Sequence, residues 1–412
     1  MGPPYLASAP GLSAPYFTPA QTPAAGTASD PQPDGKPIPS LFQPLKIRGV
    51  EFQNRIFLSP MGQCSADNGH MTPWHFAHLA GILIRGPGLS IMEVNSVLPE
   101  GRTSPEDAGL WLDSQIAPMK QIIDFAHSQN QKIGVQLGHA GRKASGLAPW
   151  LTKNGAFADK AAGGWPDDVW GATDVPFTEA SAKPKAADKQ YLQRVVAAFA
   201  ESAKRAVLAG VDVIEIHAAH GYLLSSFHSP RSNNRTDEYG GSFENRVRLT
   251  LEVVDAIRQV IPASMPLFLR VSATEWLEEV FPGESSWKSE DTVKFAALLP
   301  AHGVDFIDLS SGGIDAAQKV QNGRSPAYQA HFAQAVKDAL GGKIVVGAVG
   351  KIANGHVAQE VLNKGQADVV LVGSQFLKNP GSVWAFADDL GVDVYQSNQM
   401  EWAFKGRGAR IC

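Results

Sequence analysis

The sequence predicts the α/β class, a single-domain (β/α)8 barrel, on three observations. Eight short, nearly all-apolar runs recur along the chain, stretches of helical periodicity separate them, and no G-x-G-x-x-G turn follows an early run. Runs apolar at almost every position suit strands buried on both faces of a parallel sheet. Eight of them alternating with helices favour a closed barrel, for which a chain of 412 residues is long enough. An open doubly wound sheet is the structural runner-up, but it would prefer the glycine fingerprint that is missing.

The runs are residues 55–58, 89–94, 132–137, 211–216, 267–271, 306–309, 343–346 and 369–372. Before the first, residues 44–54 read as a hairpin that turns at Arg48 and Gly49 and plugs the bottom of the barrel. Residues 190–208 set Leu192, Val195, Val196, Phe199, Ala203 and Val207 on one helical face, and 243–260 and 291–299 read similarly. Gly210 and Gly303 stand where a helix hands over to a strand. Residues 141–184 break the alternation, being long, aperiodic and rich in Gly, Trp and Pro. They follow the third run, so they fall on the catalytic face, where a long loop caps a site.

The ends of the chain read differently. Residues 1–40 are dense in Pro, Ala, Gly and Ser. They lack the cationic start and apolar core of a secretory signal and the arginines of an organelle-targeting peptide. Such a segment is expected to be a disordered tail, the barrel domain running from 41 to 385. Residues 386–412 form a C-terminal extension and a candidate homo-oligomer interface.

Composition narrows the function. The only cysteines are Cys64 and Cys412, which fits a reducing, cytoplasmic compartment and excludes a multi-cysteine zinc or iron–sulfur site. A net charge of −4 gives no reason to expect nucleic acid, and no apolar run approaches the ~20 residues of a membrane span.

Functional groups of such a barrel sit at the C-terminal ends of its strands. The fourth run ends in His217-Ala218-Ala219-His220-Gly221-Tyr222. Two imidazoles can hold one substrate oxygen and a phenol can deliver a proton; two structural histidines capping a loop are the plainer alternative. A metal site lacks an obvious third ligand. The seventh and eighth runs lead into Gly347-Ala348-Val349-Gly350 and Gly373-Ser374, small residues that let backbone N–H groups approach a phosphate. Arg270 ends the fifth run, where a flavin ring edge or a partner such as Glu275 would satisfy it. Gln136 ends the third run, and Ser59-Pro60-Met61-Gly62-Gln63-Cys64 follows the first.

Taken together, these residues resemble the old yellow enzyme family, most closely its bacterial "thermophilic-like" class, over about 41–380. The carrying motifs are Asn54-Arg55-Ile56, Ser59-Pro60-Met61, Gln136-Leu137-Gly138-His139-Ala140-Gly141-Arg142-Lys143, and His217 to Leu224. Ser229-Pro230, Asn234-Arg235-Thr236-Asp237-Glu238-Tyr239-Gly240-Gly241-Ser242 and Glu244-Asn245-Arg246 complete them. The resemblance implies a noncovalent FMN reduced by NADPH or NADH. It also implies reduction of the activated C=C bond of an α,β-unsaturated carbonyl compound. His217 and His220 would hold the carbonyl oxygen, hydride would come from flavin N5, and Tyr222 would supply the proton. Carried over by position, the cofactor contacts are Ser59, Pro60, Met61, Gly62, Val94, Gln136, Arg270, Gly347, Gly350, Gly373 and Ser374. Cys64 joins the two histidines and Tyr222 on the substrate wall. Three positions depart from the class: Gly62 stands for a cysteine, Cys64 for a tyrosine, and Ser374 for an arginine. A double-bond isomerase or biosynthetic tailoring enzyme of the same family is the alternative, and a flavin-binding protein without turnover a third reading.

Overall fold

The computed structural model describes residues 8–152 and 156–407. Its centre is a closed barrel of parallel strands. These are β1 (Ile56–Leu58), β2 (Leu89–Ser96), β3 (Ile133–Gly138), β4 (Val213–Ala218), β5 (Leu267–Ser272), β6 (Phe306–Ser310), β7 (Val345–Val349) and β8 (Val369–Val372). Each strand pairs with its neighbours in sequence, and β8 closes on β1 with Val370 opposite Ile56. The returning helices are α1 (Pro73–Leu83), α2 (Ile116–Ser128), α3 (Lys189–Ala209), α4 (Phe243–Arg258), α5 (Ser289–Leu298), α6 (Ala330–Leu340), α7 (Gly355–Asn363) and α8 (Ser382–Leu390).

Helix α3 shows why the periodicity was legible. Leu192, Val195, Phe199 and Ala203 are fully buried, whereas Lys204 faces outward and pairs with Glu201 at 2.6 Å. The Asp188 carboxylate caps the start by accepting from the Tyr191 N–H at 2.8 Å, and Gly210 ends the helix in the left-handed region. The hairpin also forms as expected, Leu45–Ile47 pairing with Val50–Phe52. Ile47 and Phe52 cluster with Phe57, Phe268 and Phe306 inside the barrel, so the hairpin closes its floor with apolar side chains.

The expected disordered tail is corrected over residues 8–40; residues 1–7 lie outside the described residues. The Gly26 N–H donates to Tyr395 O at 2.8 Å, Ser29 N–H to Asp393 O at 2.9 Å, and Tyr395 N–H to Thr27 O at 2.8 Å. The Asn54 side-chain amide donates to both Gly26 O and Gly86 O. Ala24, Ala25 and Ala28 are buried against this seam. Small side chains allow such close backbone approach: a Cβ on Gly26 would lie 2.0 Å from Gly86 O. Composition misled here because the partners lie far off in the chain, those at Asp393 and Tyr395 more than 300 residues away, and are read only in three dimensions. The C-terminal extension accordingly packs on the chain's own start, and its last residues, 408–412 with Cys412, lie outside the described residues.

Strand β7 runs Val345–Val349 where 343–346 was expected, so Gly347 sits in mid-strand. A Cβ there would come within 2.4 Å of Phe306 Cζ and 2.6 Å of Leu371 Cδ1. Gly347 makes room for the barrel floor. Gly347→Ala should therefore overpack the floor and destabilise by about 1–3 kcal/mol; an unchanged urea midpoint would refute this.

Candidate active site

Five strands contribute to one buried polar cluster at the barrel mouth. The registers set Gln136 beside Glu215, His217 beside Arg270, and Arg270 beside Asp308. The Arg270 guanidinium donates from Nη2 to Ser59 Oγ at 2.7 Å, donates to the Asp308 carboxylate, and lies 3.9 Å from Glu215 Oε1. Gln136 Nε2 donates to the same Glu215 oxygen at 2.7 Å. All five side chains are buried. Burial alone would lower the Arg270 pKa, but Asp308 and then Glu215 reverse this and hold it above its usual value. Burial pushes both carboxylic acids up, with Arg270 opposing. Glu215 Oε2 and Asp308 Oδ1 have no hydrogen-bond partner. Thus Ser59, Gln136 and Arg270, singled out from sequence, meet at one place. The carboxylates satisfying Arg270 are Asp308 and Glu215, not Glu275.

Beside this cluster, β4 presents the histidines. The His217 ring centroid is 5.1 Å from that of His220 and 4.8 Å from that of Tyr222, both edge-on. After β4 the chain turns through His220 in the left-handed region, φ 60°, which brings the second imidazole back over the mouth. Two hydrogen bonds fix it: His220 N–H donates to Ser272 Oγ at 2.8 Å, and its Nε2 lies 2.7 Å from Ser310 Oγ. Burial holds His220 down to about 3 and His217 well below the usual imidazole range, with neighbouring positive groups adding to both shifts. Both rings are therefore neutral at pH 7. Burial, then Asp107 and Cys64, pushes the Tyr222 phenol above its usual value, so it stays protonated. His139 of the same motif family is structural, its Nε2 lying 2.9 Å from Tyr191 OH.

The segment after β1 forms one wall. A Cβ on Gly62 would meet nothing within 4 Å, so the backbone there faces open space. Cys64, also left-handed at φ 46°, sets its thiol 3.7 Å from Asp107 Oδ1, and burial followed by Asp107 pushes its pKa up to about 12. The bulge in β2 turns Glu93 toward this wall, where it accepts from Gln63 N–H at 3.1 Å and lies 3.5 Å from His75 Nε2. Val94 sits beside it, its Cγ2 close against Gly138. Opposite, a Cβ on Gly373 would meet Met61 Sδ at 3.2 Å, and Gly350 lies against Gln329 and Tyr328. Ser374 is exposed at the start of the short helix Ser374–Lys378. Gly347 differs from the rest of the set in lying down at the floor. Among the described residues no group of three His, Cys, Asp or Glu side chains could hold a metal ion.

Residues 40–389 match the model of the "NADH:flavin oxidoreductase / NADH oxidase family". The chain belongs to this family. It is an NAD(P)H-dependent flavoprotein oxidoreductase of the old yellow enzyme family, with FMN as cofactor. It is 52% identical over 403 residues to an "NADH:flavin oxidoreductase" of Gibberella zeae, covering 96% of this chain and 95% of the relative. It is 36% identical over 363 residues to the "NADPH dehydrogenase" of Bacillus subtilis, covering 88% and 98%. Among solved structures, morphinone reductase superposes with a TM-score of 0.68 at 23% identity, covering 87% and 91%, and so shares the fold. A 2-naphthoyl-CoA reductase superposes with a TM-score of 0.75 at 20% identity, the match spanning about half of that longer chain.

Sequence reasoning about this old yellow enzyme family member missed Glu93, Asp107, Glu215 and Asp308. Each is buried and acidic. The available signal was a lone charge in an otherwise apolar run, as in 213–218 and 306–310. Among the described residues no helix is long and apolar enough to cross a membrane.

The buried imidazoles fix a pH dependence. Burial holds His139, His220 and His228 each down to about 3. Between there and 6.5 the unfolded chain binds protons that these rings refuse, so stability falls as pH drops, by about 1.4 kcal/mol per unit per ring. Glu215, Glu275 and Asp308, held up by burial, act in the opposite sense, but His217 is held down as well, so the rings outnumber them. The urea midpoint should be lower at pH 5 than at pH 7.5, and His228→Gln should narrow that gap. Equal midpoints in the wild type would show that the rings are not buried neutral.

Proposed function

We propose that this protein reduces the activated C=C bond of α,β-unsaturated carbonyl compounds at the expense of NAD(P)H. The observation carrying this reading is the neutral His217–His220 pair with the protonated Tyr222 beside it, at one strand end next to the Arg270 cluster. Bound FMN supplies hydride transfer between nicotinamide and alkene. The residues fit such a group: Glu215 Oε2 and Asp308 Oδ1 lack partners, and the Gly62 backbone faces open space. Ser59, Pro60, Met61, Gly62, Val94, Gln136 and Arg270 would hold its ring. The turns at Gly350 and Gly373–Ser374 would hold its phosphate. With an arginine's reach absent at Ser374, backbone N–H groups carry more of that contact.

The side chains divide the work by protonation state. A neutral imidazole has one N–H to donate, so His217 and His220 can both donate to a single carbonyl oxygen and draw electron density from the alkene. Neither competes as an acid, since both are held far below neutrality. Tyr222 retains its proton until it is needed at the α-carbon, and Arg270 would stabilise negative charge on a bound cofactor. Phe177, Phe157 and Leu147 supply apolar lining to the cavity that His220 and Tyr222 share.

The purified protein should be yellow and release FMN on denaturation, with less FMN in Arg270→Ala; a colourless protein that FMN cannot reconstitute refutes the reading. In stopped flow, Tyr222→Phe should slow alkene reduction by ~10²–10⁴-fold, far more than it slows flavin reduction by NADPH. Equal damage to both half-reactions would contradict the proton-donor role. NADPH consumption that does not respond to 2-cyclohexenone or maleimide would favour an isomerase or a protein without turnover.

The small Cys64 side chain leaves the wall roomier than a tyrosine would. Cys64→Tyr should therefore lower kcat/KM for a bulky cyclic enone relative to a small one by ~10-fold or more. A ratio that does not move would remove Cys64 from the substrate wall.

A further inference from the structure

We propose that Lys143, seated on Phe177 at the outer end of the pocket, recognises a carboxylate carried by the substrate. The site would then favour unsaturated carbonyl compounds bearing an anionic substituent. This rests on the ene-reductase reading above and names its substrate class.

Lys143 ends the short helical turn Gly141–Lys143 that follows β3. Its Nζ donates to His220 O at 2.7 Å and lies 4.0 Å from the Phe177 ring centroid and 5.9 Å from that of Tyr222. These groups line one cavity of about 220 Å³, together with Arg142 and Leu147. The amine thus occupies the same space as Tyr222 and His220, on the side of the long 141–184 loop.

What it lacks is a counter-ion. Among the described residues twenty ion pairs join lysines and arginines to carboxylates, yet none of them includes Lys143. An ammonium has three donors, and one is accounted for by His220 O. The neighbouring Arg142 makes no ion pair among the described residues either: its Nη2 donates to Ile314 O and its Nε has no partner. Asp315 and Glu275 act on Arg142, so the uncompensated charge in the pocket is that of Lys143. Burial and then Arg142 pull the Lys143 pKa down to about 7, and an incoming anion would restore its charge. The low dielectric that makes an unpaired ammonium costly makes its pairing with a carboxylate strong. Phe177 and the His220 carbonyl hold the amine in place, so little side-chain freedom is lost on binding. Lys143 touches no reacting atom in this arrangement and acts on specificity.

The test compares (E)-4-oxopent-2-enoate with its methyl ester on the FMN-loaded protein. The wild type should favour the acid. In Lys143→Met the acid-to-ester ratio of kcat/KM should fall ~10–100-fold, the effect of losing one charged hydrogen bond, and Lys143→Arg should recover most of it. A ratio that does not move in Lys143→Met, or a wild type that favours the ester, overturns the proposal. A fall traced in stopped flow to slower flavin reduction by NADPH also overturns it, since the cation would then serve the reductant. Turnover of the ester but not the acid leaves the ene-reductase reading standing and removes this one; turnover of neither removes both.

Discussion

The site depends on burying one guanidinium. Arg270 lies buried at the mouth of a largely apolar barrel, and a cation there must be matched because an unpaired buried charge is costly. Asp308 and Glu215 match it from the strands on either side, Ser59 Oγ accepts from its Nη2 across the mouth, and Gln136 orders Glu215. Removing one member of such a set leaves its partners buried and uncompensated, which typically costs about 3–5 kcal/mol. The cluster therefore fixes the relative heights of β1, β3, β4, β5 and β6 at the end where chemistry takes place.

The histidines follow from that registration. With His217 opposite Arg270, its ring is held next to a permanent positive charge as well as out of water, and both effects keep it neutral. His220 is turned back over the mouth by a left-handed residue and anchored on serines of β5 and β6, so its position too is set by neighbouring strands. A pair of neutral donors and a protonated phenol is the state suited to polarising a carbonyl at neutral pH. Here it arises from burial and charge and needs no metal ligand.

Two features frame the barrel. At the floor, the hairpin and the phenylalanines fill the interior, with Gly347 making space for Phe306. At the periphery, residues 8–40 and the C-terminal segment bind each other through backbone hydrogen bonds and small buried side chains. This seam reaches Asn54, immediately before β1, and so couples the two ends of the chain to the first barrel strand.

Sequence alone determined the eight strand–helix units, the hairpin and the placement of Ser59, Gln136, Arg270, His217, His220 and Tyr222 at strand ends. Each was legible because it depends on local periodicity or on residues adjacent in the chain. The run of two imidazoles and a phenol could be read because six consecutive residues carry it. Tertiary structure alone decided that Asp308 and Glu215, rather than Glu275, satisfy Arg270. It likewise decided that Gly347 belongs to the floor, that residues 8–40 of the Pro/Ala-rich segment are packed, and that Lys143 meets Tyr222 and Phe177. These depend on register and burial between segments far apart in sequence, where a one-residue shift of a strand turns a side chain to the other face. Chain composition carries no record of those distances, so the charges that neutralise each other appear only once the barrel has closed.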